Sequence, residues 1–186
     1  ADHAVTVTLR RDLEEYARFG IFSRDNSIDR IDAHDPMRLL DAVGTVRPDV
    51  VINAVGIVKQ RNESADIVQS LEINALLPHR LAGICRAAGA RLIHISTDCV
   101  FKGDRGGYRE TDTADATDTY GRTKALGEVG APGCLTLRTS IIGLELHRKR
   151  SLVEWYLQAR GEIPGFTRAV FSGFTTTELS RVIRRL

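Results

Sequence analysis

The chain reads as an α/β protein built on a doubly wound parallel sheet. Three observations predict this. Apolar runs of strand length, "DVVINAVG", "RLIHIS" and "CLTLRTSIIG", recur along the sequence and have the form of strands buried on both faces. Helical periods separate them, so the elements combine as βαβ units. Each run gives way to polar residues or glycine, at the strand ends where such sheets gather their chemistry.

The first element, "HAVTVTLRR", alternates apolar and β-branched residues with polar ones and predicts a half-buried strand ending near Leu9. "DPMRLLDAVGTVRPD" predicts a short helix with Asp35 as N-cap and Pro36 in its first turn. After the strand "DVVINAVG" comes "IVQSLEINALLPHRLAGICRAAGA", a helix closed by glycine and interrupted at Pro78. The strand "RLIHIS" precedes the helix "TYGRTKALGEVG". "CLTLRTSIIG" predicts one more buried strand, "SLVEWYLQAR" a helix, and "TTTELSRVIRRL" a helix opened by a Thr175-x-x-Glu178 capping box.

Bulk properties narrow the function. The 186 residues suffice for one globular domain with a sizeable core. A formal charge of +2 gives no electrostatic case for nucleic acid. No apolar run approaches the roughly twenty residues needed to cross a bilayer, so no membrane partner is expected. Cys85, Cys99 and Cys134 are an odd, widely spaced set, which reads as reduced thiols in a cytoplasmic setting with no zinc or other metal site. Cys85 and Cys134 stand in apolar contexts and read as core. The polar, then alternating, N-terminus is not a signal peptide.

For cations the sequence overwhelmingly uses arginine, with twenty-two against four lysines. Lys124 is one of the four, and it follows Tyr120 by four residues, on the same helical face. A tyrosine with a pKa near 10 is a poor acid or base at neutral pH, and a nearby ammonium lowers that value. Such a phenol can exchange a proton with a carbonyl or alcohol. Lysine suits the task because its charge is compact and its stem flexible. Alone the pair is a weak signal, since an ordinary helix surface also supplies it.

Other residues join it. Ser96 and Thr97 follow the strand "RLIHIS", where hydroxyls can bind a substrate oxygen or simply make a turn. Asn53 and Gly56 close "VINAVG", where a small backbone admits a flat ligand. Asn74 stands inside an apolar helix and must find hydrogen-bond partners.

The ordered strings S-T-D-x-V-F-x-G (96–103) and Y-G-x-T-K-x-x-G-E (120–128), with "PDVVINAVG" and "EINALL", resemble the extended short-chain dehydrogenase/reductase superfamily. More narrowly, they resemble dTDP-4-dehydrorhamnose reductases. The resemblance runs from about residue 4 to 145. It implies a Rossmann-like NAD(P)-binding domain over 1–145 and a partial substrate-binding region over 146–186. It further implies that Tyr120 donates the proton, that Lys124 lowers its pKa and holds the nicotinamide ribose, and that Thr97 bonds the reacting oxygen. Asn74 matches the asparagine that supports the lysine through water. Ser96, Asn53, Ala54 and Gly56 would lie along the cofactor, and Asp98, Cys99 and Phe101 would face the sugar. Family members often carry Tyr where this chain has Cys99.

Arg10 and Arg11 follow the first strand, where an acidic residue would select NAD; arginine there accommodates the 2′-phosphate, so NADP(H) is favoured over NAD(H). Asp32 matches the position that meets the adenine edge. Lys59 and the run "HRKR" (147–150) read as solvated charges or phosphate contacts, and Trp155 as core.

The family's opening strand, its Gly-x-x-Gly-x-x-Gly turn and the following helix have no counterpart before Val5. The chain is therefore expected to be an interior portion of a longer reductase that does not bind NADP tightly by itself. The expected activity is NADPH-dependent reduction of a nucleotide-linked 4-keto-6-deoxy sugar, with a homodimer left open. An epimerase or dehydratase of nucleotide sugars uses the same Tyr/Lys pair, and a non-catalytic regulatory subunit would keep the pocket without turnover.

Overall fold

The computed structural model describes residues 3–58, 66–147, 149, 151–168, 171 and 173–186. They form two compact units, 1–137 and 138–186.

In the first unit β1 (Val7–Thr8) and β2 (Ser27–Ile28) pair in parallel as a two-stranded sheet. β3 (Val50–Asn53), β4 (Arg91–Ile95) and β5 (Cys134–Leu137) form a second parallel sheet in the order β3-β4-β5. β1 is shorter than its alternating sequence suggests; Leu9, just past it, is the buried residue of that run. Helix α1 (Pro36–Val46) begins as its sequence dictates, with Asp35 accepting hydrogen bonds from the Met37 and Arg38 N–H groups.

A continuous helical rod joins β3 to β4 in three parts: α2 (Ile67–Ser70), a π-helical stretch Leu71–Leu76, and α3 (Leu77–Ala88). The irregularity expected at Pro78 lies just before it. Pro78 has no N–H to offer the Asn74 carbonyl four residues back, and the backbone widens there. The Leu77 N–H bonds the Glu72 carbonyl, five residues earlier.

Leu77, Leu81 and Cys85 of α3 pack with Leu92 of β4, Ile57 and Ile73, and Val51 and Cys134 close against them. Both cysteines read as core thus meet it. Burial pushes the Cys85 thiol up to about 11, leaving it inert. β3 departs from the expected strand buried on both faces. It is an edge of its sheet among the described residues, and its side chains alternate: Val51 and Asn53 face inward, while Val50 and Ile52, on the other face, are 36% and 50% exposed. Helix α4 (Thr119–Leu126) follows β4, capped by Asp118, which accepts from the Gly121 N–H.

The run "CLTLRTSIIG" is not one strand. It divides after Leu137, and β6 (Ile141–Ile142) pairs in parallel with β7 (Phe174–Thr175) inside the second unit. The unit boundary therefore falls at the end of β5, before the expected one at 145. Helix α5 (Leu152–Gln158) is capped by Ser151, and α6 (Thr176–Ile183) by Thr175, whose hydroxyl accepts from the Glu178 N–H at 3.1 Å. Trp155, expected in a core, is 41% exposed on α5.

Candidate active site

Two glycines bring α4 against its neighbours. A Cβ on Gly121 would stand 2.3 Å from the Cys99 carbonyl oxygen, and one on Gly127 would stand 1.9 Å from the Asn74 carbonyl oxygen. Only a residue without a side chain fits at either place. The helix is thereby held by its backbone against the end of β4 on one side and the π-helical stretch on the other. That contact positions Tyr120.

The Tyr120 phenol lies beside the Thr97 hydroxyl. Thr97 is buried, accepts the Cys99 N–H at 3.2 Å and donates to Asp98 Oδ1 at 3.3 Å. Burial holds the phenol above its ordinary value; the nearby Thr97 hydroxyl opposes this, while Cys99, Asp98 and Asp118 push it further up. Tyr120 is thus a protonated phenol at neutral pH, the form that gives a proton.

Lys124 shares helix α4 with Tyr120. Its stem runs beneath the end of β4, where Nζ donates to the Ile95 carbonyl at 2.7 Å and lies 3.5 Å from His94 Nε2. No hydrogen bond joins it to Tyr120 among the described residues. Spacing by four residues puts two Cα atoms on one face, but a long stem reaches for the strongest acceptor in a buried site. Burial brings the amine down to about 8, with Glu128 opposing.

Asn74 is 1% exposed and fully engaged. Its Oδ1 accepts the Ile57 N–H at 2.9 Å; its Nδ2 donates to the Ile57 carbonyl at 3.0 Å and to Thr123 Oγ1 at 3.3 Å. The buried Asn53 accepts the Val55 N–H through Oδ1 and places Nδ2 3.1 Å from His94 Nδ1. Ser96, also buried, donates to Glu128 Oε1 at 3.0 Å. The Asn53 and Ser96 side chains thus face protein partners, whereas Ala54 is exposed and Gly56 half-buried.

The residues expected at the adenosine end lie together. Arg10 pairs with Asp32 at 3.4 Å and Arg11 with Glu15 at 2.9 Å, both guanidiniums being 70% exposed. Asp32 also accepts from the His34 N–H, which with the His34 ring lowers its pKa. Both guanidiniums thus stand exposed past β1, each paired with a carboxylate. At the sugar side, Cys99 is exposed and Phe101 half-buried, its ring stacked on Tyr108 at 4.3 Å. Arg105 lies over the other ring of that pair and bonds Asp112. Lys59, Arg148 and Arg150 lie outside the described residues.

Sequence reading did not single out His94, Glu128, Thr123 or Tyr108. His94 did carry a signal, an ionisable residue inside the apolar run "RLIHIS". Glu128 stands four residues after Lys124, one helical turn on.

A parallel sheet flanked by helices, with Thr97 and the Tyr120 helix at a strand's C-terminal end, defines an α/β protein of the Rossmann type. The profile described as "RmlD substrate binding domain" matches residues 2–151, and the chain belongs to that family. It is 40% identical over 85 residues, 43% of its length, to a dTDP-4-dehydrorhamnose reductase of Mycobacterium tuberculosis, and 35% identical over 99 residues, 53% of its length, to one of Streptomyces griseus. The matched stretches cover 28% and 33% of those relatives, so the chain spans about a third of their length. A dTDP-4-dehydrorhamnose reductase of Bacillus anthracis, solved in complex with NADP, superposes with a TM-score of 0.78 over 97% of this chain and 69% of its own, at 22% identity. That likeness shows the fold.

Proposed function

We propose that this protein is an NADPH-dependent reductase of a nucleotide-linked 4-keto-6-deoxy sugar. The observation that carries the reading is the close packing of the Tyr120 helix, through Gly121, against the Cys99 carbonyl two residues past Thr97, with the Tyr120 phenol kept protonated by burial. The relatives named as dTDP-4-dehydrorhamnose reductases support the substrate class, and the NADP complex of a structural neighbour supports the cofactor.

Bound NADPH supplies the hydride that reduces the keto carbon. Tyr120 gives its proton to the oxygen as negative charge develops there, and Thr97 holds that oxygen beside the phenol. Arg10 and Arg11 hold the 2′-phosphate, with Asp32 alongside. The neighbourhood of Asp98, Cys99 and Phe101 takes the sugar, on a loop stiffened by the Phe101–Tyr108 stack. Asn74 acts by fixing the Ile57 main chain and the Thr123 hydroxyl.

The test is ketosugar-dependent NADPH oxidation by protein expressed from its complete reading frame. Tyr120→Phe is expected to lose about 10²-fold or more in kcat with its fold intact; normal turnover in that variant removes Tyr120 as the donor. Stoichiometric consumption of NADPH separates reduction from epimerisation, which recycles its cofactor.

A further inference from the structure

Lys124 is 4% exposed, and a cation so far from water needs an anion to offset its lost hydration. The Ile95 carbonyl, which accepts from Nζ at 2.7 Å, supplies only a dipole, and the His94 ring at 3.5 Å supplies no negative charge. The half-buried Glu128 supplies one, and its field favours the charged lysine against the burial that opposes it. Its place is built from three sides. Gly127, before it in the chain, lies so close to the Asn74 carbonyl that it has no room for a Cβ. Val129, after it, is buried; Thr136 Oγ1 of β5 accepts the Val129 N–H and donates to the Val129 carbonyl, both at 3.1 Å. The carboxylate itself is held by Ser96, 4% exposed, whose hydroxyl donates to Oε1 at 3.0 Å. Lys124 and Glu128 thus grip consecutive residues at the end of β4, the amine at Ile95 and the carboxylate at Ser96.

We propose that Glu128, aimed by Ser96, is a positioning residue for Lys124: it is the counter-charge that keeps the buried side chain an ammonium at the Ile95 carbonyl. A carboxylate on a freely turning surface side chain is screened and averaged over many positions. One tied to a strand end acts from a fixed point, with little water between the charges. Burial takes Lys124 down to about 8, which leaves the ammonium the main form at neutral pH, and without Glu128 that margin closes. The ionisable groups that face the lysine are the His94 ring from β4 and Glu128 from beyond the end of α4. Burial first, and then the Lys124 charge, bring His94 to about 4, so the ring is neutral near pH 7 and Glu128 sets the balance. In this reading the Ser96 hydroxyl serves the site through Glu128.

As an account of catalysis this rests on the reductase reading; as an account of the charge on Lys124 it does not. Carbon-13 labelling of the lysine ε-carbons, with the Lys124 signal assigned by its loss in Lys124→Arg, gives that residue's titration in protein expressed from its complete reading frame, without substrate or cofactor. Glu128→Gln keeps an oxygen for the Ser96 hydroxyl, so it keeps the tie to β4 and removes only the charge. A merely structural tie leaves the Lys124 midpoint where it is, whereas the proposal expects a fall of about one pH unit. An unchanged or higher midpoint in the folded variant overturns it. Ser96→Ala leaves the carboxylate but lets it swing away, and is expected to lower the midpoint by less. Should Glu128→Gln not fold, Ser96→Ala carries the test, and an unmoved midpoint there overturns the proposal. Where ketosugar reduction is measurable, the alkaline limb of its pH profile moves down in Glu128→Gln by the same amount, because less of the lysine is charged at a given pH. The expected fall with no reduction by the unaltered protein counts against the reductase reading alone; reduction with an unmoved midpoint counts against the Glu128 proposal alone.

Discussion

Asn74 holds Ile57 by both of its main-chain polar groups, taking the N–H at 2.9 Å and giving to the carbonyl at 3.0 Å. One side chain thus does for the segment after β3 what a neighbouring strand would do. The same amide reaches Thr123 on α4, so the π-helical stretch, the end of β3 and the Tyr120 helix meet at one residue. Asn74→Ala leaves buried backbone groups without partners and is expected to cost about 2–4 kcal/mol, read from urea unfolding. Asn74→Asp keeps the acceptor and loses the donor, and is expected to be no better.

The close approach of α4 makes its two glycines sensitive to a single methyl. Gly121→Ala puts a Cβ 2.3 Å from the Cys99 carbonyl oxygen and 2.5 Å from the Ala116 Cβ, and Gly127→Ala puts one 1.9 Å from the Asn74 carbonyl oxygen. Backbone cannot yield as a flexible side chain can. Each change is expected to destabilise the protein by about 1–3 kcal/mol, measured as a fall in the unfolding midpoint. Gly121→Ala should also separate Tyr120 from Thr97, visible as a change in the tyrosinate titration.

Stability should depend on pH through His94. Burial lowers its pKa from 6.5 to about 4, so between those values the unfolded chain binds more protons than the folded one. Its contribution is fully present above pH 6.5 and is lost as pH falls toward 4. The loss amounts to ~3 kcal/mol at most. Urea midpoints at pH 7, 5 and 4 check this, and His94→Gln is expected to flatten the dependence.

Arg10 and Arg11 are exposed and ion-paired, so removing them should cost the fold little. Under the proposed function the double change to alanine raises the Km for NADPH about tenfold or more while leaving that for NADH nearly unchanged. Steady-state kinetics with both cofactors check it, and equal effects on the two would remove these residues from the 2′-phosphate.

The sequence carried the parallel α/β layout because buried strands and helical periods are local patterns. The caps at Asp35 and Thr175 were legible for the same reason, since a side chain three residues from its donor decides them. What was not legible depends on neighbours distant in the chain. The open face of β3 follows from what packs over it, and the division of "CLTLRTSIIG" follows from a partner strand more than thirty residues later. The Tyr120–Thr97 meeting was readable from motif order. The turn of Lys124 toward His94 was not, because helical spacing fixes where a side chain starts and not where a four-carbon stem ends.

The exposed border of β3 bears on how the protein behaves in concentrated solution. Val50 and Ile52 stand beside main-chain groups that β4 does not occupy, a ready template for a strand from another molecule. Among the described residues, then, the outer edge of β3 can take one more strand, from a further segment of the same protein or from another molecule.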